Sequence, residues 1–397
     1  MPEKDGPEVE RSPESIAGDL EAFEQETPLE LAFVGDICLA MGVKEAIRTH
    51  GPAYPFEKIA SAFTGADAVV GNLECCLVDE RYFETSPVGM TAVPTNLAGG
   101  LRTAGFDILN LANNHILDAG AEGLASTIEY LERNGIRHFG ANFDLDAAEQ
   151  ALIVDVKGKI VTFLGACDVS GIYAAAGRPG VAPLRLSRLV TRIRALAEQA
   201  HLVVVVLHGD LEFSDYPQPS RVRASRALID AGAHLIVQHH PHVCQGVEEY
   251  QGGLIAYSLG NCVFQVSSNK YLESRTGTDE GFVLNVSVNF ESGRPVLTWK
   301  GTPFGIDHTH RPCLYNGQVA AQWRERIDRL SAGLTDPSML RSWWRVRCRA
   351  EAMVRLSNIY WSMRRYRWKN AFDELRHVLG SAEERRWIYG LISGGLV

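Results

Sequence analysis

Short apolar runs alternate with helical periodicities along the chain from about residue 31 to residue 290. Residues 202–207 are all valine or leucine, as in a strand that is buried on both faces of a sheet. Residues 186–199 have the 3.6-residue periodicity of an amphipathic helix, and residues 282–290 alternate like a half-exposed antiparallel strand. The alternation of strands and helices predicts an α/β fold with two sheets and helices outside them.

The connections follow from the same pattern. It predicts helices over residues 56–63, 97–104 and 122–134, and a loop over residues 79–96 that covers the strand ends. Six of the seven tryptophans lie beyond about Cys313. The same part of the chain has a stripe of apolar residues at helical spacing, with arginines on the other faces. The stripe comprises Leu356, Ile359, Tyr360, Met363, Tyr366 and Leu375.

Charge divides the chain into three parts. Residues 1–28 are predicted to be a disordered acidic leader, since residues 1–30 hold ten acids and two bases. Residues 29–310 are predicted to be the main domain, and residues 311–397 a basic, Trp-rich helical extension with 16 bases and eight acids. The acidic main domain argues against general nucleic-acid binding. The extension is expected to pack on this domain or on a second subunit, with an anionic membrane surface or nucleic acid as alternatives.

The composition points to a reducing compartment. The eight cysteines are scattered without a CxxC pair or zinc-knuckle spacing, so reduced thiols are expected. No signal-peptide pattern and no uninterrupted apolar stretch of 18 residues is present. We therefore expect no transmembrane segment and a cytoplasmic protein, with peripheral membrane association through the extension as an option.

Polar clusters directly follow the predicted strands. Because ligand sites of open α/β sheets lie at the carboxyl ends of strands, these residues are expected to converge. A single aspartate at a strand end is more often a turn former, but a full set in this order is not expected by chance. Oxygen ligands mixed with imidazoles suit Mn, Fe or Zn ions, and the set is large enough for two ions that activate water. The residues are Asp36, Glu74, Asn114, His115, His208, His240 and His242.

Several spaced motifs between about residues 29 and 305 resemble one known family. The motifs are Gly35-Asp36, Asn72-Leu73-Glu74, Asn113-Asn114-His115 with Asp118, His208-Gly209, His239-His240-Pro241-His242-Val243 and Tyr257-Ser258-Leu259-Gly260-Asn261. They resemble the CapA family of poly-γ-glutamate capsule synthesis proteins, a branch of the calcineurin-like metallophosphoesterase superfamily. The resemblance implies a four-layer αββα sandwich with a dinuclear metal site.

The resemblance also implies roles for individual residues. His115 matches the histidine that protonates the leaving group, and Asp118 is a candidate either to orient it or to cap the following helix. Metal ligands are implied at Asp36, Glu74, Asn114, His208, His240 and His242. Substrate contacts are expected from the other polar residues of the motifs, namely Asn72, Asn113, His239, Ser258 and Asn261.

Three departures from the superfamily pattern bear on function. First, Cys38 stands where the first motif has a histidine. Second, Gln238 precedes the double histidine, so it is open whether His239 or His240 matches the motif. Third, His208-Gly209-Asp210 is one residue short of His-Trp-Gly. Because of the third departure, Asp210 or Glu212 is a candidate for a role at the site that the family pattern does not assign.

Two functions compete at this stage. The first is a metal-dependent hydrolase of a phosphate ester or a related acyl or amide substrate. The alternative is a non-catalytic accessory protein for the synthesis or export of poly-γ-glutamate or a similar γ-linked peptide. The partners expected are a small molecule or a γ-linked peptide, and a second copy through the C-terminal helices.

Overall fold

The computed structural model describes residues 27–85, 89–169, 171–290 and 294–364. Residues 1–26 of the predicted leader and residues 365–397 of the predicted extension lie outside the described residues. Within the described part, the strands are β1 (Leu29–Ile37), β2 (Ala68–Leu73), β3 (Cys76–Val78), β4 (Ala92–Pro94), β5 (Ile108–Asn110), β6 (Arg137–Phe139), β7 (Ala141–Asn142), β8 (Leu152–Val156), β9 (Lys159–Cys167), β10 (Gly180–Val181), β11 (Leu202–His208), β12 (Leu235–His239), β13 (Val247–Tyr250), β14 (Gly253–Ala256), β15 (Asn261–Val263), β16 (Glu280–Asn289), β17 (Val296–Ile306) and β18 (Pro312–Leu314).

Helices connect most of these strands. They are α1 (Met41–His50), α2 (Glu80–Thr85), α3 (Gly100–Thr103), α4 (Gly120–Arg133), α5 (Leu145–Ala148), α6 (Leu186–Ala197), α7 (Pro219–Asp230), α8 (Lys270–Glu273), α9 (Gly317–Thr335) and α10 (Pro337–Arg364).

Two large mixed sheets form the centre of the molecule. The first has the order β18-β17-β16-β1-β2-β5-β6, with β15 also paired to β1. Its strands β1, β2, β5 and β6 are parallel, while β16 to β18 continue as an antiparallel meander. The second has the order β13-β14-β12-β11-β9-β8, with a parallel centre and antiparallel edge strands.

The two sheets pack face to face over an apolar core. Phe33, Val70 and Phe139 of the first sheet share one buried cluster with Phe163 of the second, and the Phe139 and Phe163 rings are 5.7 Å apart. On its other face the first sheet packs against α1, α3 and α4. Helices α6 and α7 cover the second sheet. The fold is therefore the four-layer αββα sandwich, as predicted.

Some local predictions were wrong. Residues 56–63 form two separate 3-10 turns, Tyr54–Phe56 and Ala60–Phe63, in place of one helix. Residues 97–104 contain the short helix α3, and its first residue must be glycine because a Cβ there would lie 1.9 Å from the Pro52 carbonyl oxygen. The expected loop 79–96 carries α2 and β4, and β4 is stabilised by parallel pairing with β3.

The start of the predicted extension is continuous with the main domain. Strand β18 extends the first sheet, and α9 contacts both β17 and β13, so it spans an edge of both sheets. Trp323 of α9 is buried with its ring 5.0 Å from that of Phe282. Helix α10 buries Leu340, Trp344 and Cys348 but leaves large apolar side chains exposed beyond them. None of the described helices is long and apolar enough to cross a membrane.

Candidate metal centre

The carboxyl ends of strands from both sheets meet at one buried site. Strands β1, β2 and β5 of the first sheet bring Asp36, Glu74 and Asn114, and strands β11 and β12 of the second bring the four histidines that follow. The residue that precedes β15 can pack directly on β1 here because Gly35 lacks a side chain. A Cβ at Gly35 would lie 1.8 Å from the carbonyl oxygen of Gly260. The histidines are His208, His239, His240 and His242.

Asp36 is the central acceptor of the site. One of its oxygens accepts from Asn72 Nδ2 at 2.8 Å and lies 3.3 Å from His239 Nδ1. The other accepts from the backbone N–H of His240 at 3.3 Å and lies 3.5 Å from His242 Nδ1. Burial alone would raise the pKa of Asp36, but its interaction with the nearby His239 imidazole holds it below its usual range. The carboxylate is therefore ionised at neutral pH.

Glu74 has the opposite environment. Both its oxygens are fully buried, and neither has a hydrogen-bond partner among the described residues. Glu74 Oε1 lies 3.6 Å from His208 Nε2 and 3.9 Å from His242 Nε2. Burial and the nearby charge of Asp36 raise the pKa of Glu74 well above its usual range. A buried carboxylate left without donors is costly, and a cation between it and the imidazoles would remove that cost.

Two imidazoles of the site, those of His208 and His240, are held in their neutral form. Burial, with the neighbouring His240, lowers the pKa of His208 well below its usual range. Burial and then His242 lower the pKa of His240 to about 4. His208 Nε2 also lies 2.7 Å from Asn114 Oδ1. A neutral imidazole keeps a free lone pair, which is the form that binds metal ions.

The donors form two overlapping groups that could hold metal ions. Ligand atoms of Asp36, Glu74 and His208 lie within 4.8 Å of one another, and the same holds for Glu74, His240 and His242. Glu74 belongs to both groups. The Nδ1 atoms of His239 and His240 are buried without hydrogen-bond partners, as the Glu74 oxygens are. Carboxylate, amide and imidazole donors together suit Mn, Fe or Zn.

Backbone strain is concentrated at this site. His240 and His242 have positive φ angles of 95° and 57°, although neither is glycine. In the facing loop Asp210 and Phe213 have φ angles of 83° and 55°. Non-glycine residues in this conformation cost of order 1–3 kcal/mol each and persist where the surrounding structure enforces them. The strain directs both histidines of the His-x-His pair towards Glu74.

His115 and Asp118 form a pair beside the ligand cluster. His115 Nδ1 lies 3.0 Å from Asp118 Oδ2, which also accepts a short hydrogen bond from the Thr91 hydroxyl. Burial alone would lower the pKa of His115, but the hydrogen bond and charge of Asp118 raise it above its usual range. The N-cap of helix α4 is Ala119, without a side-chain cap hydrogen bond, and the Asp118 carboxylate contacts His115.

Four of the residues predicted to contact substrate form hydrogen bonds within the protein. Asn72 holds Asp36, Asn113 donates to the Leu73 carbonyl at 2.7 Å, and the Asn261 side-chain oxygen lies 2.9 Å from His242 Nδ1. The Ser258 hydroxyl accepts from the backbone of Gly260. All four are buried, because their amides and hydroxyl satisfy neighbouring polar groups.

The fifth predicted substrate contact, His239, lies with the metal ligands. Its Nδ1 is directed at Asp36 and its side chain is nearly fully buried. The sequence left open whether His239 or His240 belongs to the site. In the structure, His239, His240 and His242 all lie there.

Cys38 occupies the position of the missing histidine in the first motif. It is buried and hydrogen-bonded to Cys75, which lowers its pKa. Neither thiol belongs to the ligand groups found among the described residues. The position that holds a histidine in the superfamily pattern is thus occupied by Cys38, whose thiol contacts that of Cys75.

Sequence reasoning missed two groups of residues around the centre. Arg221 of α7 is buried and binds Asp168 at 2.6 Å, and Asp168 in turn accepts from the backbone N–H of Asp210. Glu212 lies 3.9 Å from His240 Nε2 and accepts a short hydrogen bond from the Tyr271 hydroxyl. Only the departure at residues 208–210 pointed to Asp210 or Glu212, and the arginine left no signal in the motifs.

Comparison with known proteins places these residues in a family. The family model described as bacterial capsule synthesis protein PGA_cap matches residues 30–266. The capsule biosynthesis protein CapA of Bacillus anthracis is 30% identical over 323 residues, which is 77% of this chain and 78% of that protein. The PGA biosynthesis protein CapA of Bacillus subtilis is 33% identical over 241 residues, 59% of this chain and 63% of that protein.

A solved structure shares the general architecture at low similarity. The calcineurin-like phosphoesterase YfkN from Bacillus subtilis is 13% identical, with a TM-score of 0.42, over 80% of this chain and 99% of that chain.

Proposed function

The chain belongs to the family of bacterial capsule synthesis proteins described as PGA_cap, and from its site we propose that it is a metal-dependent hydrolase. The substrate is a phosphate ester or a related acyl or amide compound. The observation that carries the proposal is the Glu74 carboxylate, which is fully buried, has no donor on either oxygen and faces His208 and His242.

Glu74, together with Asp36, Asn114 and the histidines, would hold two divalent ions. Ions bound there supply an activated water and a clamp for the oxygens of an in-line displacement. Asp36 and Glu74 provide the negative charge, while the neutral imidazoles of His208 and His240 provide nitrogen donors. Asn72 and Asn261 fix the orientation of Asp36 and His242 by hydrogen bonds.

The proton for the leaving group comes from His115. Asp118 accepts from His115 Nδ1, so Nε2 is the atom that carries the transferable proton. Asp118 raises the pKa of His115, and this favours the protonated imidazole that a general acid needs. Thr91 donates to Asp118 and prevents the carboxylate from rotating away.

A metal titration combined with a generic diester assay tests this function. The protein is stripped with chelator, reloaded with Mn²⁺ or Zn²⁺ and assayed with bis(p-nitrophenyl) phosphate. We expect about two ions per chain and turnover that His115→Ala reduces at least 100-fold with metal content retained. His50→Ala is the matched control, since this exposed histidine lies on α1. Absence of turnover with every metal, or loss of metal in His115→Ala, would contradict the proposal.

A second candidate is a non-catalytic accessory role in the synthesis or export of poly-γ-glutamate or a similar γ-linked peptide. It is supported by Cys38 at a position where the superfamily has histidine and by the names of the Bacillus relatives. The same experiment separates the two functions. An accessory protein would bind metal or γ-linked peptide without turning over any ester or amide.

A further inference from the structure

We propose that Arg275, Phe213 and Tyr271 form a subsite beside the metal centre that binds a second anionic group of the substrate. The proposal rests on the hydrolase or peptide-binding function of the same centre, because the subsite positions a molecule whose other end lies at the metal ligands. Its ligand is a carboxylate or phosphate group on the part of the substrate that does not react.

Phe213 joins the subsite to the metal centre. Its ring is stacked on His242 with the ring centres 6.0 Å apart, and it also meets the edge of Tyr271 at 5.2 Å. The backbone N–H of Phe213 donates to the carbonyl of Pro241, between the two histidines of the final motif. A group bound next to Phe213 is therefore separated from His242, a candidate metal ligand, by the Phe213 ring.

Arg275 supplies the positive charge. Its guanidinium carbon lies 5.2 Å from the centre of the Phe213 ring, in cation–π geometry, and the side chain is exposed. It forms no ion pair within 4.0 Å with a carboxylate of the described residues. Arginine stacked on an aromatic ring keeps its N–H groups directed outward, and this is the geometry that binds carboxylate or phosphate in a bidentate manner.

Glu212 disfavours an anion beside its own carboxylate. That carboxylate lies between His240 and Tyr271, and the Tyr271 hydroxyl is already donated to it. A second anion is repelled from this group. The Arg275 guanidinium on the Phe213 ring is the favourable place for the anion, so the subsite selects substrates with a defined spacing between the reacting group and the next negative charge.

Equilibrium binding measures this subsite independently of turnover. The probe is the γ-linked tripeptide of glutamate, compared with the same tripeptide whose α-carboxylates are amidated, by calorimetry on chelator-treated and Mn²⁺-loaded protein. We expect the Arg275→Gln substitution to weaken binding of the carboxylate peptide about tenfold, as for the loss of one charge-assisted hydrogen bond. Binding of the amidated peptide should be unchanged by the substitution.

Arg133→Gln is the matched control. Arg133 is exposed at the end of α4 that is remote from Asp118, about 20 Å along the helix axis for a helix of this length. It should bind both peptides as the wild type does. A Phe213→Leu variant keeps an apolar side chain but removes the ring that supports Arg275, and it should weaken binding of the carboxylate peptide in the same direction.

The outcomes separate the subsite from the proposed function. Turnover of the generic diester with no effect of Arg275→Gln on either peptide would overturn the subsite and leave the hydrolase proposal standing. Arg275-dependent peptide binding without turnover would support the subsite in a non-catalytic protein. Equal weakening by Arg275→Gln and Arg133→Gln would show that only general electrostatic attraction is involved, and this too would overturn the subsite.

Discussion

Glu74 Oε1 lies 3.6 Å from His208 Nε2, and neither oxygen of this buried carboxylate accepts a hydrogen bond from the described residues. The pair joins the two sheets, since Glu74 follows β2 and His208 ends β11. A cation bound between the two groups would compensate the charge of the ionised carboxylate. Metal binding would therefore stabilise the folded protein.

Glu74→Gln should lower metal content at least tenfold and raise the stability of the metal-free protein. The pKa of Glu74 is raised well above 4.5, so the folded chain binds this proton more tightly than the unfolded chain. The metal-free wild type therefore loses stability as pH rises above about 4.5, and glutamine removes that loss. We expect a gain of about 1–3 kcal/mol at pH 7.

Thermal melts with chelator, together with elemental analysis of reloaded protein, check this result. Glu122→Gln on the exposed start of α4 is the control and should change neither quantity. Retention of metal by Glu74→Gln would remove Glu74 from the ligand set.

Asp118→Asn should move the alkaline limb of the pH–activity profile to lower pH. Asp118 raises the pKa of His115, and the protonated imidazole is the acid that the leaving group requires. Activity of the wild type is thus expected below the raised pKa and is lost as pH rises through it. Asparagine cannot supply the negative charge, so the pKa of His115 falls and the loss begins at lower pH.

The profile of kcat against pH from 5 to 9 gives the measurement. Thr91→Val should shift the limb less, because it removes only a hydrogen bond to Asp118. An unchanged limb in Asp118→Asn would mean that His115 does not act as the acid.

Arg221→Met should destabilise the protein by about 3 kcal/mol, because breaking a buried ion pair leaves an uncompensated charge. We expect the loss of stability to lie at the low end of the range known for broken buried ion pairs, because the Asp168 side chain is 31% exposed. Asp210, whose pKa is raised by burial although Arg221 opposes this, would lose its nearest base as well.

Urea unfolding of Arg221→Met and Arg223→Met gives the comparison. Arg223 is exposed on the same helix, so its substitution should cost less than about 0.5 kcal/mol. Equal effects of the two substitutions would show that the Arg221–Asp168 pair adds nothing to stability.

Trp323→Ala should destabilise the protein by about 3–5 kcal/mol, which is the usual cost of removing a buried tryptophan. The ring is 5% exposed and packs on Phe282 and Gly301 of the first sheet. Trp361 of α10 is 48% exposed and serves as the control, with an expected change below about 0.5 kcal/mol. Similar urea midpoints for both variants would mean that α9 does not pack on the sheets in solution.

The sequence pattern by itself predicted two sheets with helices outside them, and the family resemblance implied the four-layer sandwich. Buried strands appear as continuous apolar runs, and the polar residues that follow them are brought to the same edge because the strands are parallel. The convergence of Asp36, Glu74, Asn114 and His208 at one site could therefore be predicted from the alternation of strands and helices.

The tertiary structure alone decided which groups face each other across the two sheets. The place of His239 beside Asp36, the positioning roles of Asn72 and Asn261, and the pairing of Arg221 with Asp168 depend on side-chain directions set by packing. The close approach of Gly100 to Pro52 is likewise a contact between distant parts of the chain. Contacts between residues far apart in the chain have no local periodicity, so only the folded backbone specifies them.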